Sequence, residues 1–244
     1  MEDKKEGSIK MPDVFAKLLI VTQAHLGGIK TTKQMKKYAF GSRNDKIAVF
    51  DLKKTWEKFV LAARAICGLG HEDDIMAVSC KTFGKKPVMK FAETVGCKAY
   101  TGRFIPGTFT NTMIKNNFEP RLLVISDPVV DKQAVEEAAL VNCPVIAFCN
   151  TDATLRYIDI AIPLNNRSPK AIGASFFILS RLVRYMKHGI ELTEGIKEVE
   201  LFFYRCQAEL EKIQEEQNQE NLFDKIDKSM NFNKEGDFGT KSFN

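Results

Sequence analysis

Three runs in this chain, IMAVSC (75–80), RLLVISD (121–127) and PVIAFCN (144–150), are apolar at consecutive positions instead of at every second one. A strand with one face in water alternates, so strands that stay apolar throughout must be covered on both faces. Helical patterns follow the runs: PVMKFAETVG from Pro87, and DKQAVEEAALVN over 131–142. Strand, helix and strand in succession predict a mainly parallel sheet between two helical layers, a three-layer α/β sandwich. CKAY (97–100), DIAIP (159–163) and KIAVFDL (46–52) add shorter strands. Further helices are predicted over 13–24, behind Pro12, and over TWEKFVLAARAICGLG, with Thr55 as its cap. A long helix opens at Ser168 and Pro169 and ends near Gly189. Residues 30–46 read as a lysine-rich loop, and NTMIKNN (111–117) as a helical turn or two.

The chain divides into a flexible N-terminus (1–11), an α/β domain (12–190) and an acidic extension (191–244). The extension holds thirteen acidic and seven basic residues, a charge of −6, so residues 1–190 carry +11 within the formal total of +5. A basic body calls for a polyanionic partner. No stretch is apolar enough to span a bilayer, the N-terminus lacks a secretory pattern, and no membrane is expected. The six cysteines form no C-x-x-C pair and the three histidines are scattered, which predicts buried thiols in a reducing compartment and neither metal nor cofactor. The extension mixes an apolar LFFYRC (201–206) with a polar end that has no core-forming pattern. Leu201, Phe202, Phe203 and Tyr204 must fold back on the domain or dock on a partner protein.

An enzyme on this scaffold would use the crevice beyond the carboxyl ends of the strands. TGRFIPGTFTN (101–111) falls there and has P-loop spacing, Gly102 to Gly107, with SDP (126–128) and NTD (150–152) beside it. Asp127 and Asp152 are the carboxylates such an enzyme would use, and Thr108 or Thr110 its phosphate contact. A P-loop, however, needs Lys and then Ser or Thr after its second glycine. Here Thr108 and Phe109 follow, and Pro106 removes a backbone donor. The same loops are ordinary turn and cap sequences, so no catalytic residue is assigned.

GRFIPGTFTN resembles the corresponding segment of the eukaryotic and archaeal small-subunit ribosomal protein SA family, also called the laminin receptor precursor family. That family is the counterpart of the second protein of the bacterial small subunit. HLGG (25–28), LKKTWEKFVLAARAI (52–66), KFAETVG (90–96), EPRLLVISDP (119–128), VNCPVIAFCNTDATLRYIDIAIPLNN (141–166) and FFYR (202–205) resemble family blocks in the family's order. The resemblance implies a flavodoxin-like or Rossmann-like sandwich without catalysis. It implies a structural role in the small ribosomal subunit, with rRNA and other small-subunit proteins as partners and no homo-oligomer in the particle. Subunit maturation, translation, a cytoplasmic ribosomal location and passage through nuclear pre-ribosomal particles follow from the same likeness. Relatives often carry paired tryptophans where this chain has Phe176 and Phe177. A short polar segment replaces the long acidic tail of animal members, which weakens a laminin-binding or cell-surface role, and the bacterial coiled-coil insertion is missing.

Between Lys30 and Arg64 ten basic residues face three acids. With RNA as the polyanion, the expected phosphate contacts are Lys30, Lys33, Lys36, Lys37, Arg43, Lys46, Lys53 and Lys54, joined by Lys81, Lys85 and Lys86. Arg103 either contacts RNA or braces its own loop. Trp56, Phe59, Phe176 and Val183 recur at helical spacing and read as core. In the long helix Ile172, Phe176, Leu179, Val183 and Met186 form the buried stripe, and Arg181, Arg184, Lys187 and His188 a basic edge. Recognition is therefore expected through backbone and shape.

Overall fold

In the computed structural model, residues 9–114 and 117–206 are described, and the expectations for the N-terminal eight residues and for the tail beyond 206 lie outside them. A parallel five-stranded sheet has the order β4 (Lys98–Thr101), β3 (Ile75–Ser79), β5 (Leu122–Ile125), β6 (Val145–Cys149), β7 (Ile160–Pro163). A separate antiparallel pair is formed by β1 (Ala39–Ser42) and β2 (Ala48–Phe50). The helices are α1 (Asp13–Val21), α2 (Leu52–Cys67), α3 (Lys85–Val95), α4 (Lys132–Leu140), α5 (Pro169–His188) and the short α6 (Val199–Phe202).

The continuous apolar runs have a simple geometric cause. Side chains still alternate along each strand, but both sets meet a core. Ile75, Ala77, Leu122, Val124, Ile146 and Phe148 join one apolar cluster with α1, α2, α3 and α5. Met76, Val78, Leu123, Ile125, Val145 and Ala147 join a second with α4, Met35, Phe104 and Phe109. The three-layer sandwich stands as expected, with one helical layer much thicker than the other.

Several boundaries differ. Thr55 does not cap α2; the cap is Asp51, whose carboxylate accepts the Lys53 N–H at 3.0 Å. Thr55 lies a turn inside and donates its hydroxyl to the Pro163 carbonyl at 2.9 Å, fastening the start of α2 to the carboxyl end of β7. α1 stops at Val21, and α3 begins two residues before Pro87, which the first turn tolerates. Residues 30–46 are not wholly loop: a 3-10 turn at Met35–Tyr38 leads into β1. Among the described residues of 111–117 there are turns and no helix.

α5 is buried on nearly every side from Ala171 to Val183, beyond the single stripe expected, with Met186 only half-buried. Arg181 is not on an exposed basic edge. It is 4% exposed, pairs with Glu198, donates to the Gly195 carbonyl at 3.2 Å and lies over the Phe177 ring. Lys187 pairs with Glu72 at 2.6 Å. The compact unit runs past residue 190 to Tyr204, with Val199 and Phe202 buried. Phe176 and Phe177 are fully buried among other rings.

The backbone of α6 comes so close to α5 that a Cβ on Gly173 would stand 2.8 Å from the Phe202 carbonyl oxygen. Gly173→Ala gains helix propensity of about 1 kcal/mol but must displace that backbone. The expected outcome is faster proteolytic cleavage within 190–204, while the core's protection from hydrogen exchange is unchanged.

Candidate nucleic-acid interface

The sheet order reverses direction between β3 and β5, and a crevice opens there at the carboxyl ends of the strands. In this chain that crevice is filled from within. The Ser79 and Ser126 hydroxyls share a hydrogen bond at 2.7 Å. Lys81, only 12% exposed, places its ammonium 2.5 Å from Asp127 and donates to the Asn166 carbonyl at 2.7 Å. Lys81 therefore does not sit with the exposed lysines. Asp131, beside this pair, accepts the Cys80 N–H at 2.9 Å and the Ser126 hydroxyl at 3.4 Å. Burial pushes its carboxyl up to about 6, against the lowering effect of the Cys80 hydrogen bond.

Two of the other enzyme candidates are engaged as well, whereas Thr110 is exposed. Asp152 pairs with Arg167, and the Thr108 hydroxyl donates to the Ile105 carbonyl at 2.7 Å. Thr151 clasps the segment ahead of β1: its hydroxyl accepts the Gly28 N–H at 2.8 Å and its carbonyl the Thr32 N–H at 2.9 Å. The loop with P-loop spacing does present backbone donors to an anion, but that anion is the buried Glu137 of α4. Its two oxygens accept the Gly107 N–H at 2.7 Å and the Phe109 N–H at 3.3 Å, and Gln133 donates to it at 2.9 Å. Gly107 adopts φ 89°, the left-handed turn that aims those amides. A carboxylate carried by the chain itself occupies the place a phosphate would take.

What remains open at this edge is basic. In a parallel sheet every strand-to-helix connection emerges at the carboxyl end, so helix N-termini collect there. Four of them carry lysine and none has an acid in the first turn, although Asp51 and Asp131 stand at the N-caps of α2 and α4: Lys53 and Lys54 on α2, Lys85 and Lys86 on α3, Lys132 on α4, Lys170 on α5. A positive side chain at the positive end of the helix dipole is mildly unfavourable for the isolated fold, where Asp or Glu would stabilise it. The β1–β2 pair, tied to the same edge through Gly28, Thr32 and Thr151, exposes Arg43 and Lys46 at its turn. Lys30, Lys33, Lys36 and Lys37 are exposed on the approach to it. Lys54 is half-buried and donates to the Lys37 carbonyl at 2.7 Å, joining the two lysine groups.

Arg103 is exposed and its guanidinium makes no hydrogen bond or ion pair with the described residues; the Tyr100 hydroxyl contacts its carbonyl instead, at 3.3 Å. Of the four tail residues, Phe202 is spent on the core against Phe177. Phe203 is half-buried, and Leu201 and Tyr204 are 52% and 38% exposed. Sequence reading missed Lys132, Lys170 and Glu137. The two lysines were findable as basic residues at the start of helices, whereas nothing in EEAA marks the second glutamate as buried.

A family model described as ribosomal protein S2 matches residues 19–120 and 113–188 of this chain. The chain is 68% identical over 234 residues to the small ribosomal subunit protein uS2 of Enterocytozoon bieneusi, covering 96% of this chain and 97% of the relative. It is 44% identical over 201 residues to the protein of that name in Trichoplax adhaerens, covering 82% of this chain and 70% of the relative. With the Chlamydomonas reinhardtii protein of that name the identity is 41% over 201 residues, covering 82% and 72%.

Two substitutions test the filled crevice. Asp131 has a folded-state pKa above its unfolded value, so the native state holds more protons and its contribution to stability falls as pH rises from about 4 to about 6. Asp131→Asn should match the parent at pH 4 and exceed it at pH 7, by at most about 3 kcal/mol in urea unfolding. Glu137→Ala strands the buried Phe109 N–H and should cost about 1–3 kcal/mol in the same measurement, with Glu137→Gln recovering part of the loss.

Proposed function

The chain belongs to the ribosomal protein S2 family, and on that premise we propose that it is a structural constituent of the small ribosomal subunit, fixed to rRNA by the carboxyl edge of its sheet. Its work is to hold rRNA and neighbouring small-subunit proteins in place, and through that to serve subunit maturation and translation. The relatives named above are small-subunit proteins, and such a protein resides with the ribosome in the cytoplasm; entry into nuclear pre-ribosomal particles is part of the proposal.

The observation that carries the RNA surface is the placement of lysines at four helix N-termini on one edge, beside the basic β1–β2 turn. Positive charge gathered where the helix dipoles are already positive is costly in the free protein and favourable against phosphate, because each neutralised phosphate releases counterions. No side chain is assigned a catalytic role: Lys81 and Asp127 at the switch point are paired with each other, and Asp152 and Thr108 are engaged elsewhere. Exposed Leu201 and Tyr204 are offered as the tail's contact with a neighbouring protein.

Reversing Lys53, Lys54, Lys85 and Lys86 to glutamate together should leave the fold intact by circular dichroism. It should shift the protein from the small-subunit fraction of a sucrose gradient to the top. Full cosedimentation of that variant with the particle would remove the carboxyl edge from the interface.

A further inference from the structure

The loops that follow β5 and β6 line, with the first turns of α4, a cleft of about 680 Å3 that opens at this edge beside Pro128 and Asp152 and runs along α4 to Tyr157, near the start of β7. The first loop contributes Pro128 and Val129; the second contributes Thr154, Arg156 and Tyr157; Gln34 reaches in from the segment ahead of β1. Tyr157 holds a left-handed backbone, φ 62°, which aromatic residues rarely adopt. The Arg156 guanidinium lies over its ring, 4.7 Å from the centroid, and donates to its hydroxyl at 2.6 Å. Both side chains are exposed, Tyr157 by 46%, so the stack is not there to fill a core.

The charges in the cleft nearly cancel. Glu136 has Lys132 at 3.4 Å, and Asp152 has Arg167. Gln34 accepts the Leu155 N–H at 3.1 Å through its side-chain oxygen, which leaves its amide NH2 without a partner among the described residues. The Thr154 hydroxyl makes no hydrogen bond to them either. A phosphate needs concentrated positive charge, which this cleft lacks. A flat ring needs a planar group to lie against, some apolar surface and a few polar groups, and Tyr157, Val129, Gln34 and Thr154 all line this cleft.

We propose that this cleft receives one unstacked nucleobase of the RNA whose backbone the lysines hold, lying against the Arg156–Tyr157 stack with Val129 opposite and Gln34 and Thr154 at its edge. The proposal rests on the reading of the carboxyl edge as an RNA surface. It adds a base contact to what is otherwise recognition of backbone and shape. Tethering the guanidinium to Tyr157 beforehand lowers the conformational entropy lost on binding, and its planar face can stack on a base where a lysine ammonium cannot.

The test is fluorescence anisotropy on the full chain at one fixed salt concentration, with three six-nucleotide RNA-backbone probes: uridylate, adenylate and abasic. The expected result is that at least one base-bearing probe binds roughly tenfold tighter than the abasic one, the scale of a single stacked base. Arg156→Lys keeps the charge and the solubility of the surface. It should bring the base-bearing probes down to the abasic affinity while leaving abasic binding within about twofold. The lysine-reversed protein should lose affinity for all three alike. Equal binding of the three probes by the parent protein, or a preference untouched in Arg156→Lys, overturns the base site and leaves the lysine edge standing. Binding of none of them overturns both.

Discussion

Two adjacent rings on α5 tie the thicker helical layer to the sheet. Neighbouring residues on a helix point about 100° apart, so Phe176 and Phe177 leave the helix toward different layers. Phe176 meets Phe148 of β6 edge-on at 4.8 Å and Phe91 of α3 at 5.5 Å. Phe177 meets Phe15 of α1 at 6.4 Å and Phe202 of α6 at 5.5 Å, both edge-on. One ring thus fixes α5 to the sheet, and the other fixes the outer elements to α5. A helix in this position has no free face, which is why Arg181 can be present only with its charge paired to Glu198 and its plane covered by Phe177.

Holding α5 and α2 against the sheet also settles where their N-termini lie. The Thr55–Pro163 hydrogen bond brings the start of α2 to the same edge as the starts of α3, α4 and α5. Related α/β sheets use that convergence to bind a ligand at the point where strand order reverses. Here Ser79, Lys81, Ser126, Asp127 and Asp131 satisfy one another at that point, and Glu137 supplies the anion to the glycine loop. The donors and the field remain, but at the switch point itself the chain's own side chains take them up. Beside it a broad rim of lysines is left exposed.

The thicker helical layer and the tail belong to the same arrangement. α6 can lie on α5 because Gly173 lets its backbone approach, and Phe202 then completes the aromatic chain. This uses Phe202, and in part Phe203, internally and leaves Leu201 and Tyr204 outside. Division of one apolar cluster into an internal anchor and an exposed pair comes from packing geometry.

Much of this was legible in the chain itself. Consecutive apolar residues at 75–78, 122–125 and 145–149 required strands covered on both sides, and the intervening helical patterns required them to be parallel. The missing lysine after Gly107 excluded a P-loop, and the family blocks from HLGG to FFYR pointed to a ribosomal protein before any coordinate. Tertiary structure alone decided which charges face water. Lys81 and Lys85 are four residues apart and chemically identical, yet one is buried against Asp127 and the other is exposed at a helix start. The hydrophobic pattern that specifies strands and helices is local and periodic. The pairing of a single lysine or glutamate depends on which distant loop the fold brings beside it, and no local pattern records that.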